Sequence, residues 1–578
     1  MIRFYIRQIG FRFYLLIAII TGAGFFKWIG IGRILPILQG VDQQNFINTY
    51  FKKFFFFLSI DYNLKNLLLG MAIAITLKAF FSICISIYAS RLSYFLLTKM
   101  REALCIGLYQ IEYEKFITKP LGHIANVITK ETEKVCAGFK ILSVEITNIF
   151  FTLLYFSIPL IHSPKLVLLL VLSGIPLLPM IIKLNSKIKD LSILSIGQFS
   201  FLQDLNIQVF NNFKYIKGTN SITKIFPYLQ KYVHEVSLTT KRQEIVTSIS
   251  QYLFEPIIAI AMSVVVYYFV IHKQKSTIEL LYIIFLLYSA LQNAIALQHN
   301  ARKILRFFGS VKLIEEMLME VKNGSSAHQE NVADQVELGQ DVYTRESSVE
   351  FKEVSFRFSN GKEVFYKSTF SFPHQKIVAL IGKSGSGKTT ILNLLTGLLT
   401  PTEGTIFYGT QSHHTLNYDD FCKRVSYVAQ ENVIFHDTVY NNLTFWTQSK
   451  SEEEFSLKQI LKDVDLYDHI NSLPNKMHSL LSQNGENFSG GQIQRLCWAR
   501  ELFKTPSILI LDEATNSLDQ HTKNLLLDYI IKVKDSMTII MVTHDIDLLK
   551  KCDIIYHVQN GKVSLVKEDS SVIALMYQ

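Results

Sequence analysis

The first 321 residues alternate long apolar runs with polar, basic stretches, whereas later residues alternate short apolar and polar segments. Runs such as Leu166–Ile182 and Pro256–Ile271 contain no charged residue. A helix needs about 20 apolar residues to cross a bilayer. The pattern therefore predicts six membrane-spanning helices at about 11–38, 64–94, 141–162, 164–186, 248–272 and 277–305. The later pattern is typical of an α/β domain.

The connections between the predicted spans are unequal in length and charge. Residues 95–140 and 187–247 form two long connections that are rich in Lys and Arg. Because positively charged loops stay in the cytoplasm, we expect both connections and both chain ends on that side. The sequence thus predicts a multi-pass protein of the cell inner membrane.

Net charge supports this interpretation. The chain carries +10 overall, and residues 1–321 hold 33 Lys and Arg against 17 Asp and Glu. Because the excess lies between apolar runs and no nucleic-acid motif accompanies it, membrane lipids fit better than nucleic acid as a partner. The six cysteines include no closely spaced pair, which argues against a zinc site or a disulfide framework.

Several charged residues fall inside the predicted spans, namely Lys27, Arg33, Lys78, Glu145 and Glu255. Intramembrane charges are costly and usually face a cavity or a partner. One interpretation is structural pairing between Lys27, Lys78, Glu145 and Glu255, or a span boundary misplaced by one turn. The other is that Lys27, Arg33 and Lys78 line a cavity and attract an anionic headgroup.

A phosphate-binding loop lies in the second half of the chain. An apolar strand at Lys376–Ile381 runs into the loop, and a helix-like segment follows it. Glycines allow backbone N–H groups to point at phosphate oxygens, and the helix N-terminus adds positive potential. The pattern predicts that Lys388 neutralises ATP phosphates and that Thr389 binds Mg²⁺. The nucleotide-binding residues of this segment are Gly382, Ser384, Gly385, Ser386, Gly387, Lys388, Thr389 and Thr390.

A second apolar strand, Ile508–Leu511, ends in two acids. Asp512 is expected to hold Mg²⁺, directly or through water. Glu513 is expected to act as the general base that polarises the attacking water. A strand ending in Asp-Glu is weak evidence alone, but it becomes strong together with the phosphate-binding loop.

Phe488 precedes the segment Ser489, Gly490, Gly491 and Gln492, which resembles the signature motif of ABC transporters. The resemblance assigns further roles over about 200 residues. Gln430 matches the glutamine that contacts Mg²⁺ and water, and His544 matches the histidine at the γ-phosphate. Asp519 matches the D-loop aspartate, and Phe358 stands where an aromatic ring stacks on adenine.

The resemblance implies a fold and an assembly. It implies an α-helical transmembrane bundle of six long helices, as in ABC exporters. It also implies an α/β phosphate-loop ATPase domain with an antiparallel β subdomain and a helical subdomain. The boundaries are expected at 1–321 for the membrane domain, 322–348 for a flexible linker and 349–578 for the ATPase domain. Each signature helix would meet the phosphate held by a second copy of the chain, so a homodimer is expected and a heterodimer is the alternative.

Two short coupling helices are also implied, near Tyr113–His123 and Leu205–Lys214. Both segments look like those of lipid-linked oligosaccharide flippases. The favoured function is therefore ATP-driven export or flipping of an amphipathic substrate, as an anionic lipid or lipid-linked glycan. The alternatives are an exporter of peptides or hydrophobic drugs and, from a different class, an ATP-gated channel or regulator.

The motifs depart from the family pattern at a few positions. Phe488 replaces the usual Leu, Asn516 replaces the usual Ser, and Asp545 follows His544 where exporters usually have Arg. The segment 482–485 lacks an acidic residue, so we expect other contacts, such as Glu486, to couple the domains. Every predicted catalytic position is present.

Overall fold

The structure is a computed structural model that describes most of the chain. It covers residues 1–39, 59–162, 175–252, 277–333, 348–416, 418–447, 451–482, 487–515 and 520–566, with pieces of one or two residues within 52–56, 164–172 and 256–267. Two compact units form: Met1–Ile111 with Thr118–Gly324, and Glu112–Ile117 with Ser325–Gln578.

The described residues up to 333 form helices that are joined by turns and short loops. The helices are α1 Ile2–Ile9, α2 Arg12–Gly32, α3 Ile34–Gln39, α4 Leu64–Tyr109, α5 Tyr113–Ile117, α6 Leu121–Asn126, α7 Thr132–His162, α8 Leu178–Asn211, α9 Phe213–Gly218, α10 Ile222–Tyr252, α11 Thr277–Arg306 and α12 Phe308–Ala333. A π-helical turn, Val127–Glu131, joins α6 to α7.

Four of the described helical stretches are long and apolar enough to cross a membrane, namely Arg12–Gly32, Leu64–Tyr109, Leu121–Ile161 and Leu281–Arg306. They overlap the first, second, third and sixth predicted spans. The other two predicted spans run over residues that lie outside the described set. Helix α4 has 46 residues, which gives a length of about 69 Å at 1.5 Å per residue. It is thus longer than a bilayer is thick, as expected for a helix that continues into water.

Helices α2, α4 and α7 pack together through apolar side chains. Their shared core contains Leu16 and Ile20 of α2, Leu92 and Leu96 of α4, and Phe139 of α7. These side chains recur at the three- and four-residue spacings that place residues on one helix face. The same packing brings Lys27, on α2, against the aromatic side chains of α7.

Two expectations about the connections need correction. Helix α8 continues to Asn211, so the second short helix is α9 and lies later than the predicted 205–214. The segment before Asn211 contains no helix breaker, whereas Asn211 and Asn212 favour a helix end.

The linker also differs from the expected irregular joint, because α12 runs through Ala333. Its Lys, Ala, Gln and Glu residues are good helix formers. Residues 334–347 lie outside the described set, so the domain boundaries remain a prediction.

The glycine Gly122 lets α6 approach α8 closely. A Cβ atom at this position would lie 2.6 Å from the Cα of Asp204 and 2.7 Å from its backbone nitrogen. We expect Gly122→Ala to lower the free energy of unfolding by about 1–3 kcal/mol, because backbone must move to accept the methyl group.

Gly197→Ala on α8 is the matched control, since no described atom lies within 4 Å of its added Cβ. It should be neutral or stabilising by up to about 1 kcal/mol. Thermal unfolding of the two purified variants makes the comparison, and equal midpoints would contradict the close approach.

Residues from 349 onward form strands and shorter helices. The strands are β1 Val349–Arg357, β2 Glu363–Phe372, β3 Ile377–Ile381, β4 Glu403–Tyr408, β5 Gln411–Ser412, β6 Val425–Val428, β7 Ile508–Asp512, β8 Thr538–Val542, β9 Ile554–Gln559 and β10 Lys562–Leu565. The helices are α13 Lys388–Leu395, α14 Tyr418–Cys422, α15 Val439–Thr444, α16 Ser451–Asp463, α17 Tyr467–Ser472, α18 Gly490–Phe503, α19 Gln520–Val533 and α20 Ile546–Leu549.

The described strands make two sheets. The order β2-β1-β4-β5 is antiparallel throughout. The order β10-β9-β3-β8-β7-β6 is parallel except for its β10 edge. Strands β3, β7 and β8 are buried along their whole length, as their continuous apolar sequences predict. The antiparallel β subdomain, the parallel core and the helices α15–α18 confirm the predicted fold class.

Candidate functional site: a nucleotide-binding edge of the parallel sheet

The carboxyl ends of four parallel strands meet at one edge of the larger sheet. Strand β3 runs into the phosphate-binding loop, and β7 ends at Asp512. Strand β6 is followed by Gln430, and β8 by His544. Ligands of open α/β sheets bind at this edge, so the strand order brings the predicted residues together from segments that are far apart in sequence.

The phosphate-binding loop has the backbone geometry that its glycines predict. Gly387 has φ +109°, and an added Cβ would lie 2.6 Å from the ring of Phe365. Only glycine fits this position without strain. Helix α13 begins at the next residue, Lys388. The hydroxyl oxygen of Ser386 is buried and makes no hydrogen bond within the described part of the chain, so the loop holds an unused polar group at the site where a phosphate would bind.

Lys388 lies at the centre of the site. Its side chain is largely buried, and its Nζ donates to the carbonyl oxygens of Gly382 at 2.6 Å and Lys383 at 3.0 Å. Burial lowers the pKa of Lys388, while the nearby carboxylates of Glu513 and Asp512 oppose that shift. The three side chains therefore form one electrostatic cluster.

Asp512 is the buried acid of the cluster. Only 6% of it is exposed, and burial raises its pKa. The hydroxyl of Tyr427 donates a hydrogen bond to Oδ2 of Asp512 at 2.9 Å, which partly offsets that shift. A buried carboxylate beside a lysine, at the end of a strand, is suited to bind a hard cation such as Mg²⁺.

Glu513 adopts a left-handed backbone conformation with φ +50°. Its backbone N–H donates to the carbonyl of Val542 at 3.0 Å. Its carboxylate accepts a hydrogen bond from Gln430 Nε2 at 2.9 Å and lies 3.9 Å from His544 Nε2. Uncommon backbone conformations of non-glycine residues cluster at active sites. The structure thus places the predicted base, glutamine and histidine in one group.

Two side chains of helix α18 donate hydrogen bonds to the segment that directly follows Glu513. The side-chain amide of Gln494 and the indole N–H of Trp498, the latter at 3.1 Å, both donate to the carbonyl of Ala514. Both side chains are almost completely buried. Sequence reasoning missed Gln494, Trp498 and Tyr427. The available signal for Gln494 was its position as a polar residue on the buried face of α18.

The signature segment forms the N-terminus of α18. Ser489 caps the helix by accepting the N–H of Gln492 at 3.2 Å, and the Gln492 side chain accepts the N–H of Ser489 at 2.9 Å. Gly490 and Gly491 are the first two residues of the helix. This reciprocal cap fixes a helix N-terminus suited to an anion. Phe488, which replaces the usual Leu, is buried with its ring 5.0 Å from that of His469.

The remaining predicted residues are placed as follows. Phe358 follows β1, with its ring edge-to-face on Phe356 at 5.0 Å. Ser384 and Thr389 are exposed, and Thr390 is buried in α13. Asp519, Asn516 and Glu486 lie outside the described residues.

Asp545, the departure after His544, has a structural role. It caps α20 by accepting the N–H of Asp547 at 3.0 Å. It also pairs with Lys523 at 3.1 Å.

Charged residues of the membrane half contact aromatic rings. Lys27 Nζ lies 3.6 Å from the ring centre of Phe151 and 4.5 Å from that of Tyr155. Arg33 is buried, and its guanidinium lies 5.4 Å from the ring centre of Phe55. In the described part of the chain, no ion pair joins Lys27 or Lys78 to Glu145, so this part of the structural-pairing interpretation is wrong. Glu145 accepts a hydrogen bond from Asn300 instead, and Glu255 lies outside the described residues.

Part of the chain matches a known domain family. Residues 365–516 match the family model described as ABC transporter. The chain carries an ABC transporter ATPase domain. That domain is fused to a helical region whose apolar helices are long enough to cross a membrane, as in a multi-pass membrane protein. An ABC domain implies that the nucleotide is ATP.

Relatives of the ABC domain include much longer proteins. An ABC multidrug transporter of Aspergillus fumigatus is 36% identical over 214 residues, which are 36% of this chain and 17% of the fungal protein. The chain thus spans only a small part of that relative's length. An export ATP-binding/permease protein of Rickettsia typhi is 25% identical over 482 residues, covering 81% of this chain and 80% of the relative.

A solved structure extends the similarity to the whole chain. A bacterial Atm1-family ABC exporter with ATP bound superposes with a TM-score of 0.74 and 17% sequence identity. The match covers 96% of this chain and 95% of the exporter. The chain therefore has the fold of an ABC exporter.

Proposed function

We propose that the protein is one half of an ATP-driven exporter, in which ATP hydrolysis by the ABC domain moves a substrate through the helical membrane domain. The observation that carries the proposal is the convergence of Lys388, Asp512 and Glu513 with Gln430 and His544 at one sheet edge, in a chain with apolar helices. The proposed location is the inner membrane, with the ABC domain in the cytoplasm.

The roles of the residues follow from their chemistry. Lys388 and the backbone N–H groups of its loop neutralise and orient the phosphates of ATP. Thr389, Asp512 and Gln430 would hold Mg²⁺, and this cation would neutralise charge on the transferred phosphoryl group. Glu513 takes the proton of the attacking water. His544, 3.9 Å from Glu513, stabilises charge that develops on the γ-phosphate.

The proposed working unit is a dimer of two identical chains. The capped N-terminus of α18 presents Ser489, Gly490 and Gly491 as an anion site. In our account, this site binds the γ-phosphate of ATP held by the partner subunit. Because every catalytic position is present, two copies would form two competent sites, which favours a homodimer over a heterodimer.

The proposed substrate is an anionic amphipathic molecule, such as a lipid or a lipid-linked glycan. The support is the cationic character of α2 and α4. Lys27 lies against the faces of two aromatic rings, and such faces attract a cation. Arg33, directly after α2, and Lys78, on α4, add positive charge. A peptide or a hydrophobic drug is the second candidate, since one relative is named a multidrug transporter.

Removal of these charges tests the substrate class. We expect the double substitution Lys27→Gln, Lys78→Gln to reduce the stimulation of ATPase activity by anionic lipid by about tenfold, because removal of both charges weakens the attraction for an anionic headgroup by about 1.4 kcal/mol. The double substitution to Arg, which keeps both charges, is the matched control and should keep the stimulation.

The measurement uses proteoliposomes of zwitterionic lipid with added anionic lipid, anionic glycolipid, basic peptide or hydrophobic drug. Stimulation by anionic lipids alone, lost in the Gln variant, supports the proposal. Stimulation by peptide or drug alone would favour the second candidate, a peptide or a hydrophobic drug, as the substrate. Absence of any ATPase activity in the unsubstituted protein would overturn the exporter function itself.

A further inference from the structure

Tyr427 reaches the end of a neighbouring strand and contacts the metal-binding acid. Strands β6 and β7 are parallel, and Tyr427 is paired with Ile510. Side chains of residues two positions apart share a sheet face, so Ile510 and Asp512 lie on the face that Tyr427 also occupies. The long phenol side chain spans that distance, and its hydroxyl donates to Asp512 Oδ2 at 2.9 Å.

The main chain of Tyr427 is fixed on its other side by the signature helix. Its backbone N–H donates to Glu501 Oε2 at 3.3 Å, and the neighbouring Ser426 hydroxyl donates to the Glu501 carbonyl at 2.7 Å. Glu501 is also paired with Lys504 at 2.7 Å. The ring packs against the apolar core beneath the site. Within the described residues, the hydroxyl thus has a defined position and donates its hydrogen bond to Asp512.

A hydrogen bond to one carboxylate oxygen limits the rotation of the side chain. Asp512 is buried and has two acceptor oxygens. The bond from Tyr427 engages Oδ2, which leaves the other oxygen for a cation or its bound water. Partners of this kind orient metal ligands, and their removal weakens metal affinity.

We propose that Tyr427 is a positioning residue that holds Asp512 in the orientation needed to bind the Mg²⁺ of the nucleotide. The inference rests on the proposed ATPase function, because it assigns Asp512 to that cation. Tyr427 would thus connect Glu501 of α18 to Asp512 of the proposed metal site. The proposed role belongs to the hydroxyl group, which bonds Asp512, whereas the ring only packs against the core.

The test is the substitution Tyr427→Phe in the full-length protein, which removes the hydroxyl and keeps the ring. Equilibrium binding of ATP is measured twice, with excess EDTA and with excess Mg²⁺, and the ratio of the two Kd values gives the gain in affinity due to the metal. We expect this gain to fall about tenfold, with the Kd in EDTA unchanged. The control is Tyr556→Phe, which removes a hydroxyl hydrogen bond of 2.8 Å to the Ser371 carbonyl and should leave the gain unchanged.

A merely structural role gives a different result. If Tyr427→Phe changes both Kd values together, or leaves the metal-dependent gain as in the unsubstituted protein, the proposal is overturned. Asp512→Asn supplies a second measurement, because Tyr427→Phe should have no further effect on the gain in that background. An additional loss there would also overturn it. If the unsubstituted protein binds no ATP, the proposed function fails instead, so the two failures are distinguishable.

Discussion

Glu513→Gln is expected to stop ATP turnover while ATP binding is retained. A glutamine keeps the size of the side chain and can still contact Gln430, which lies 2.9 Å from the carboxylate. It cannot accept the proton of the attacking water, and loss of a general base costs about 10²–10⁴-fold in rate. We therefore expect the hydrolysis rate to fall by at least about 100-fold. The measurement is phosphate release in proteoliposomes beside the ATP-binding isotherm.

The control for this substitution is Asp528→Asn, which removes a carboxylate from the exposed side of α19. It should keep the rate of the unsubstituted protein. A Glu513→Gln variant that hydrolyses ATP at the normal rate would contradict the assignment of the base. A variant that no longer binds ATP would show that the substitution disturbed the strained turn at φ +50° rather than the proton transfer.

Much of the ATPase site could be predicted because its residues are adjacent in sequence to recognisable strands and helix ends. The loop before Lys388 and the acids after β7 each carry their own local signal. Tyr427 has no such signal, because its contact with Asp512 depends on the register of two strands that are 85 residues apart at the contact. The bond from Trp498 to Ala514 could not be predicted either, because a tryptophan in an apolar helix face is expected to belong to the hydrophobic core.

The membrane half was predictable in composition but not in contact detail. Hydropathy identified α2 and α4, whereas the partner of an intramembrane charge depends on helix rotation. Lys27 could have met Glu145, but the packing of α2 on α7 places it over Phe151. The start of α9 was missed because nothing in the segment before Asn211 breaks the helix, so α8 continues to that residue.

Lys388→Met and Ser489→Arg are expected to give the largest losses after Glu513→Gln. The methionine keeps the buried stem of Lys388 but removes the ammonium that donates to Gly382 and Lys383. Truncating a buried charged partner costs about 2–5 kcal/mol, so ATP affinity should fall at least about 30-fold. Arg in place of Ser489 should block the helix N-terminus and stop turnover. Lys550→Met, at an exposed pair of α20, should change neither.

These two substitutions also test whether each ATP site is built from two chains. Mixed dimers can be purified with two affinity tags in two arrangements that contain the same substitutions. In the split arrangement, one chain carries Lys388→Met and the other Ser489→Arg. In the joined arrangement, one chain carries both and the other carries neither. If each site combines Lys388 of one chain with Ser489 of the other, the split dimer has one intact site and the joined dimer has none.

The ATPase rates of these two mixed dimers test the central claim most directly. The account predicts measurable turnover in the split dimer and background turnover in the joined dimer. The reverse order, with turnover only in the joined dimer, would show that one chain builds a complete site by itself and would contradict the account.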